Sequence, residues 1–161
     1  MKKYLFVFIL TIIAFDVYCQ FQLNTISSIS GERLQANCIA ARYSSSSSPN
    51  DGQFVLAKLN DKLVLQFFYM PGGYESKNPL NYDNQVVQFD FYDANGTLQD
   101  HSYIKIEGVG KSGNDLVFDM TINSLIEKFI KYSTVKVMVR NSEKLTFSLK
   151  GFSYCKKEIE K

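Results

Sequence analysis

Apolar and polar residues alternate along most of this chain, and that period predicts strands. Thr134 to Arg140 sets Val135, Val137 and Val139 on one face. Leu145, Phe147 and Leu149 repeat the arrangement, with Thr146, Ser148 and Lys150 opposite. Between Gln85 and Tyr92, Val87, Phe89 and Phe91 point one way and Val86, Gln88 and Asp90 the other. Leu34 to Tyr43 lines up Leu34, Ala36, Cys38 and Ala40. Phe21 to Ile26, Thr97 to Glu107 and Leu116 to Ile122 read as further strands. The clearest hairpin joins Gln53–Leu59 to Lys62–Tyr69 across Asn60-Asp61. Both arms carry apolar residues on both faces, which predicts a central pair covered on two sides.

One segment has helical spacing instead. Leu125, Ile126, Phe129 and Ile130 share a face over Ser124–Tyr132, Ser124 with Glu127 matches a capping box, and Lys128 and Lys131 suit the C-terminal end. Gly151 reads as a bulge or a close backbone approach, and Lys156 to Lys161 as a charged, frayed end. Asp93-Ala94-Asn95-Gly96, Gly108–Asn114 and Ser44–Ser48 read as turns and loops. The sum is an all-β fold, an antiparallel β-sandwich or open barrel of about eight strands with one short helix near residues 124–132.

The N-terminus breaks the pattern. Lys2 and Lys3 precede an apolar run, Tyr4 to Phe15, closed by Asp16, and Val17-Tyr18-Cys19 offers a cleavage site before Gln20. That layout predicts a signal peptide over 1–19 and one β-sandwich domain over 20–161. A spanning helix needs about 20 apolar residues, so no transmembrane anchor is expected after cleavage. Acylation of Cys19 as a lipoprotein is the alternative, disfavoured because large Tyr18 stands before the cysteine. The expected location is secreted or periplasmic, where disulfides form. Cys38 and Cys155 then remain, and an isolated pair in such a compartment is expected to be bonded; two separate buried thiols are the alternative.

Composition narrows the function. The formal charge of +2 falls to +1 without Lys2, Lys3 and Asp16, and the arginines are three and scattered. Such a chain has no field to hold nucleic acid. Thirteen Phe and ten Tyr with no Trp suit strands and weigh against sugar stacking. Two cysteines with the single His101 match no zinc spacing, so no metal or cofactor is expected. Asp100-His101-Ser102 is not a triad by itself, since strand neighbours point to opposite faces, and a solvated histidine is the plain reading. Asp90, Asp93, Asn95 and Asp100 invite a calcium reading, but Leu98 and Ile104 fall where an EF-hand loop needs its glycine and closing Glu. Gly110-Lys111-Ser112 lacks the first glycine of a phosphate loop, whose place Lys105 holds.

The segment Met70 to Asn84 has no period and contains Pro71-Gly72-Gly73 and Pro79. Loops of that length are functional or disordered, so Tyr69, Tyr74 and Tyr82 are the candidate binding residues; clamping of the loop onto the sandwich is the alternative. The order strand, helix, strand and a final Phe147-Ser148-Leu149-Lys150-Gly151-Phe152 resembles small secreted β-sandwich proteins of the invasion-associated locus B type. The likeness is a hydrophobic pattern over the last third of the chain and assigns no residue a role. The expected function is a secreted or periplasmic binding domain that meets another protein through loops. A hydrolase using acidic residues from separate strands, or a structural envelope-assembly component, are the alternatives.

Overall fold

The computed structural model describes residues 20–28, 31–39, 51–72, 78–140, 142 and 144–161. The expected leader, Cys19 and the serine run lie outside these residues, as does Tyr74. In chain order the elements are β1 (Gln22–Ser28), β2 (Gly31–Ile39), β3 (Asp51–Leu59), β4 (Lys62–Met70), β5 (Val86–Tyr92), β6 (Leu98–Lys105), β7 (Gly110–Ser112), β8 (Asp115–Asp119), α1 (Asn123–Lys131), β9 (Thr134–Val139), β10 (Leu145–Ser148) and α2 (Phe152–Glu160). One sheet runs β1-β2-β3-β4-β8-β7 and the other β10-β9-β5-β6. Every pairing is antiparallel. The expected all-β, sandwich-like architecture is the one observed, with ten described strands rather than about eight, and it is not a closed barrel.

The β3–β4 hairpin turns at Asn60 and Asp61, with φ of 49° and 62°. Two residues of positive φ give the turn whose twist matches the strands it joins. The hairpin sits centrally in its sheet, as expected, with one face continuously buried: Phe54, Leu56, Leu65, Phe67 and Tyr69 enter the core, whereas on the outer face Val55 is buried and Val64, Gln66 and Phe68 are half-buried. Across the interior, Phe54 meets Phe147 of β10 at 4.7 Å and Phe129 of α1 at 5.0 Å between ring centroids.

Helix α1 forms where its period predicts, with differences at both ends. Leu125, Ile126 and Phe129 are buried, but Ile130 is exposed. The helix begins at Asn123 after an N-cap at Ile122 that makes no side-chain bond, so Ser124 lies inside the first turn and the capping box does not form. Helix α2 replaces the expected frayed tail. Phe152, Cys155 and Ile159, spaced three and four apart, form its buried stripe. Its N-cap is Gly151, at φ 84°, packed on the Phe21 carbonyl, so the close-approach reading of that glycine holds and the bulge reading does not.

That helix also overturns the expected disulfide: no bond joins Cys38 and Cys155 in the structure. The reason is where each side chain is aimed. On β2, Cys38 Sγ donates to the Ser148 carbonyl at 3.3 Å. Cys155 lies in the apolar stripe of α2 with its Sγ 3.8 Å from the Phe21 carbonyl, and burial pushes its thiol pKa up. Both pack as small hydrophobes. Among the described residues no helix is long and apolar enough to cross a membrane.

Candidate functional site

Two of the three tyrosines expected at a binding loop are core residues. Tyr69 is the last inward position of the row Leu65, Phe67, Tyr69, and only 2% of it is exposed. Tyr82 follows a short 3-10 turn, Pro79–Asn81, whose Leu80 N–H is capped by the Asn78 side chain at 3.1 Å. Its ring lies 6.0 Å from that of Tyr69 and 6.3 Å from Phe118, with the Arg140 guanidinium 5.4 Å from its centroid. Burial drives the Tyr69 phenol up to about 12, despite its hydrogen bond with Ser142. Both rings pack into the core.

The polar cluster with most contacts lies on the outer face of the four-stranded sheet. Asp90 of β5 is the buried charged residue of the described chain, at 2% exposure. Its Oδ1 accepts from Gln88 Nε2 at 2.7 Å and from His101 Nδ1 at 2.8 Å, and its Oδ2 from Lys144 Nζ at 2.5 Å. Burial acts to raise the Asp90 pKa, but the bonds from Lys144, Gln88 and His101 outweigh it and hold the carboxyl at about 2. His101 is therefore held rather than merely solvated. Ser102 turns the other way, to Lys128 Nζ at 2.8 Å, so the triplet Asp100-His101-Ser102 is split between two faces. Asp93 is a turn organiser: its Oδ1 accepts from the backbone N–H of Asn95 and of Thr97, both at 2.9 Å.

A β-bulge creates the Asp90–His101 pair. Tyr92 pairs with Leu98 but Phe91 with Asp100, so Gln99 is an extra residue. Had the Tyr92–Leu98 register continued without the bulge, Asp90 would face Asp100, and like charges directly opposite are destabilising. Asp90→Asn is expected to lower stability at neutral pH by about 1–3 kcal/mol, as for hydrogen bonds to a charged group. The unfolded aspartate titrates near 3.9 and the folded one at about 2. Wild type should thus keep its advantage above about pH 4 and lose it as pH falls towards 2. Thermal midpoints of both proteins between these limits check this; a gap that does not narrow would count against it.

A groove of about 590 Å³ opens on one side of the sandwich, where the two sheets part. One wall is β6, which ends its sheet. The other is the connection from β8 into α1. Tyr103, Lys105, Glu107, Asp119, Ile122 and Leu125 line it. The connection is pinned to β4: Met120 N donates to the Leu65 carbonyl at 2.8 Å and Leu65 N to Thr121 Oγ1 at 2.9 Å. At one end of β6 the strand edge is covered by side chains. The His101 N–H donates to Asp100 Oδ1 at 2.7 Å, and the His101 carbonyl accepts from Lys128 Nζ at 3.1 Å. Lys128 also pairs with Asp100 Oδ2 at 2.9 Å, and this bond holds the Asp100 carboxyl below its usual range. The sequence reading missed this groove, because its walls come from segments far apart in the chain. A smaller cavity of about 200 Å³ lies on the outer face of the six-stranded sheet, against Ile39, Phe68 and Met70.

Compared with known proteins, the chain matches no protein family, no curated protein and no solved structure. The pattern resemblance to the invasion-associated locus B type therefore gains no support.

Proposed function

We propose that this chain is a binding domain which holds a segment of another protein in the groove between β6 and the β8–α1 connection. The groove carries the reading. Its volume, about 590 Å³, falls within the roughly 300–1,000 Å³ of common ligand clefts. Its lining combines apolar Ile122 and Leu125 with polar Lys105, Glu107 and Asp119. The surface of contact is thus a strand edge and a pinned connection. With the leader read at residues 1–19, the domain would act in the periplasm or outside the cell.

Ile122→Ser tests the site without unfolding the protein. The N-cap at Ile122 has extended backbone, φ −117° and ψ 122°, and makes no side-chain bond. A serine there gains about 1 kcal/mol of capping, offsetting lost apolar burial. Peptides selected on the wild-type protein from a random phage-displayed library should bind Ile122→Ser at least about tenfold more weakly, the worth of a buried apolar contact, with an unchanged melting midpoint. Selected peptides that bind both proteins equally would sink the proposal.

A further inference from the structure

Resting on that reading of the groove, we infer that the occupant is an extended segment of a partner protein, added as a strand to the edge of β6 at Tyr103 and Lys105. In an antiparallel pair, alternate residues turn their N–H and C=O towards the partner strand and away from it. Ile106 N donates to the Gln85 carbonyl at 2.8 Å, in continuation of the β5–β6 register. Ile104 and Ser102 therefore also face β5, and the backbone of His101, Tyr103 and Lys105 faces outwards. The side-chain caps at His101 confirm the phase, since they could not reach groups already in the ladder.

The edge is thus closed at one residue and open at the next two. Asp100 and Lys128 occupy the donor and acceptor of His101. Such cover is how natural sheets stop their edges from pairing. At Tyr103 and Lys105 the outward groups face the groove instead, about 7 Å apart along the strand. A segment laid there forms up to four main-chain hydrogen bonds, and the cap at His101 limits its length in that direction. One face of the added strand meets exposed Ile122, which calls for an apolar residue. The lining also carries Glu107 and Asp119 against the single Lys105, a balance that calls for a basic one. Two-fold antiparallel pairing of a second copy about Tyr103 sets His101 against Lys105, two basic groups opposite each other; pairing about Ile104 does not, and the test below separates a second copy from a partner segment.

The test uses linear heptapeptides of alternating valine and threonine, with lysine scanned through the threonine positions and each amide N-methylated in turn. N-methylation should weaken binding at every second position, by about two- to tenfold per bond removed, and leave the positions between unchanged. Lys105→Pro removes the side chain and an outward N–H, a change that edge strands tolerate, and should weaken binding more than Lys105→Ala, which removes the side chain and keeps the N–H. Should Lys105→Pro fail to fold, the N-methyl series decides alone. Binding that Ile122→Ser weakens but N-methylation affects uniformly or not at all overturns strand addition and leaves the groove as a protein-binding site. Binding untouched by Ile122→Ser, or none by any heptapeptide, overturns the inference. Concentration-dependent dimerisation lost in Lys105→Pro would assign the edge to a second copy and overturn it too.

Discussion

Phe54→Ala is expected to cost about 3–5 kcal/mol, the usual result of deleting a buried aromatic ring. Phe54 is fully buried on β3 and is the residue on which the layers meet. Its ring stacks on Phe67 of β4 at 4.8 Å, reaches Phe147 of β10 at 4.7 Å and Phe129 of α1 at 5.0 Å, and lies 6.5 Å from Phe89 of β5. Each sheet and the helix therefore lose a partner at once. Edge-to-face pairs add about 0.5–1.5 kcal/mol beyond area burial, and this site has two, to Phe147 and Phe129. Neighbouring inner-face positions leave little room for collapse, because a Cβ at Gly52 would already stand 2.8 Å from the Phe67 ring. Domains have about 5–15 kcal/mol in total, so the variant should unfold at a much lower urea concentration. Phe54→Leu keeps most of the volume and should lose distinctly less. A loss under about 1 kcal/mol for alanine, against the range for such sites, would mean that the sheets do not close on this ring.

How far the sequence carries can be judged element by element. Strands β3, β4, β5, β9 and β10 were legible because each alternates and the buried row is aromatic or branched. Strand β7 was not: Gly110-Lys111-Ser112 has no apolar residue, and it is a strand only because β8 lies beside it. Helix α2 had a signal, Phe152, Cys155 and Ile159 at helical spacing, hidden by lysines and glutamates that pair along its surface, as Lys156 does with Glu160 at 2.5 Å. The expected disulfide fails for the same reason, since a cysteine in a helical stripe is aimed differently from one at a strand end. Tyr69 could have been placed in the core from its row with Leu65 and Phe67. The pairing of Asp90 with His101 could not, because one inserted residue, Gln99, shifts the register and no local rule announces it. The groove is further from reach: it depends on which strands end their sheets, and strand order is a property of the whole topology.

Gly151→Ala is expected to cost about 2–4 kcal/mol, combining the left-handed penalty of about 1–2 with that of overpacking. The residue has φ 84°, and a Cβ there would stand 2.8 Å from the Phe21 carbonyl oxygen. That oxygen is backbone and cannot swing aside. The contact is fixed from both sides, by Phe21 N–H donating to the Lys150 carbonyl at 3.0 Å and Cys155 N–H to the Gly151 carbonyl at 2.9 Å. Moving Phe21 would disturb its ring packing on Phe152, with centroids 4.9 Å apart. Moving Gly151 would lift α2 from β2. A control isolates the two contributions. Gly96 has a similar φ of 77°, but a Cβ there meets nothing within 4 Å. Gly96→Ala should therefore cost only the backbone penalty, about 1–2 kcal/mol. Thermal midpoints of the two variants measure the difference, which should favour Gly96→Ala by several degrees. Equal midpoints would mean that the end of the chain yields freely, and that α2 is not held against Phe21 by the close approach that only glycine allows.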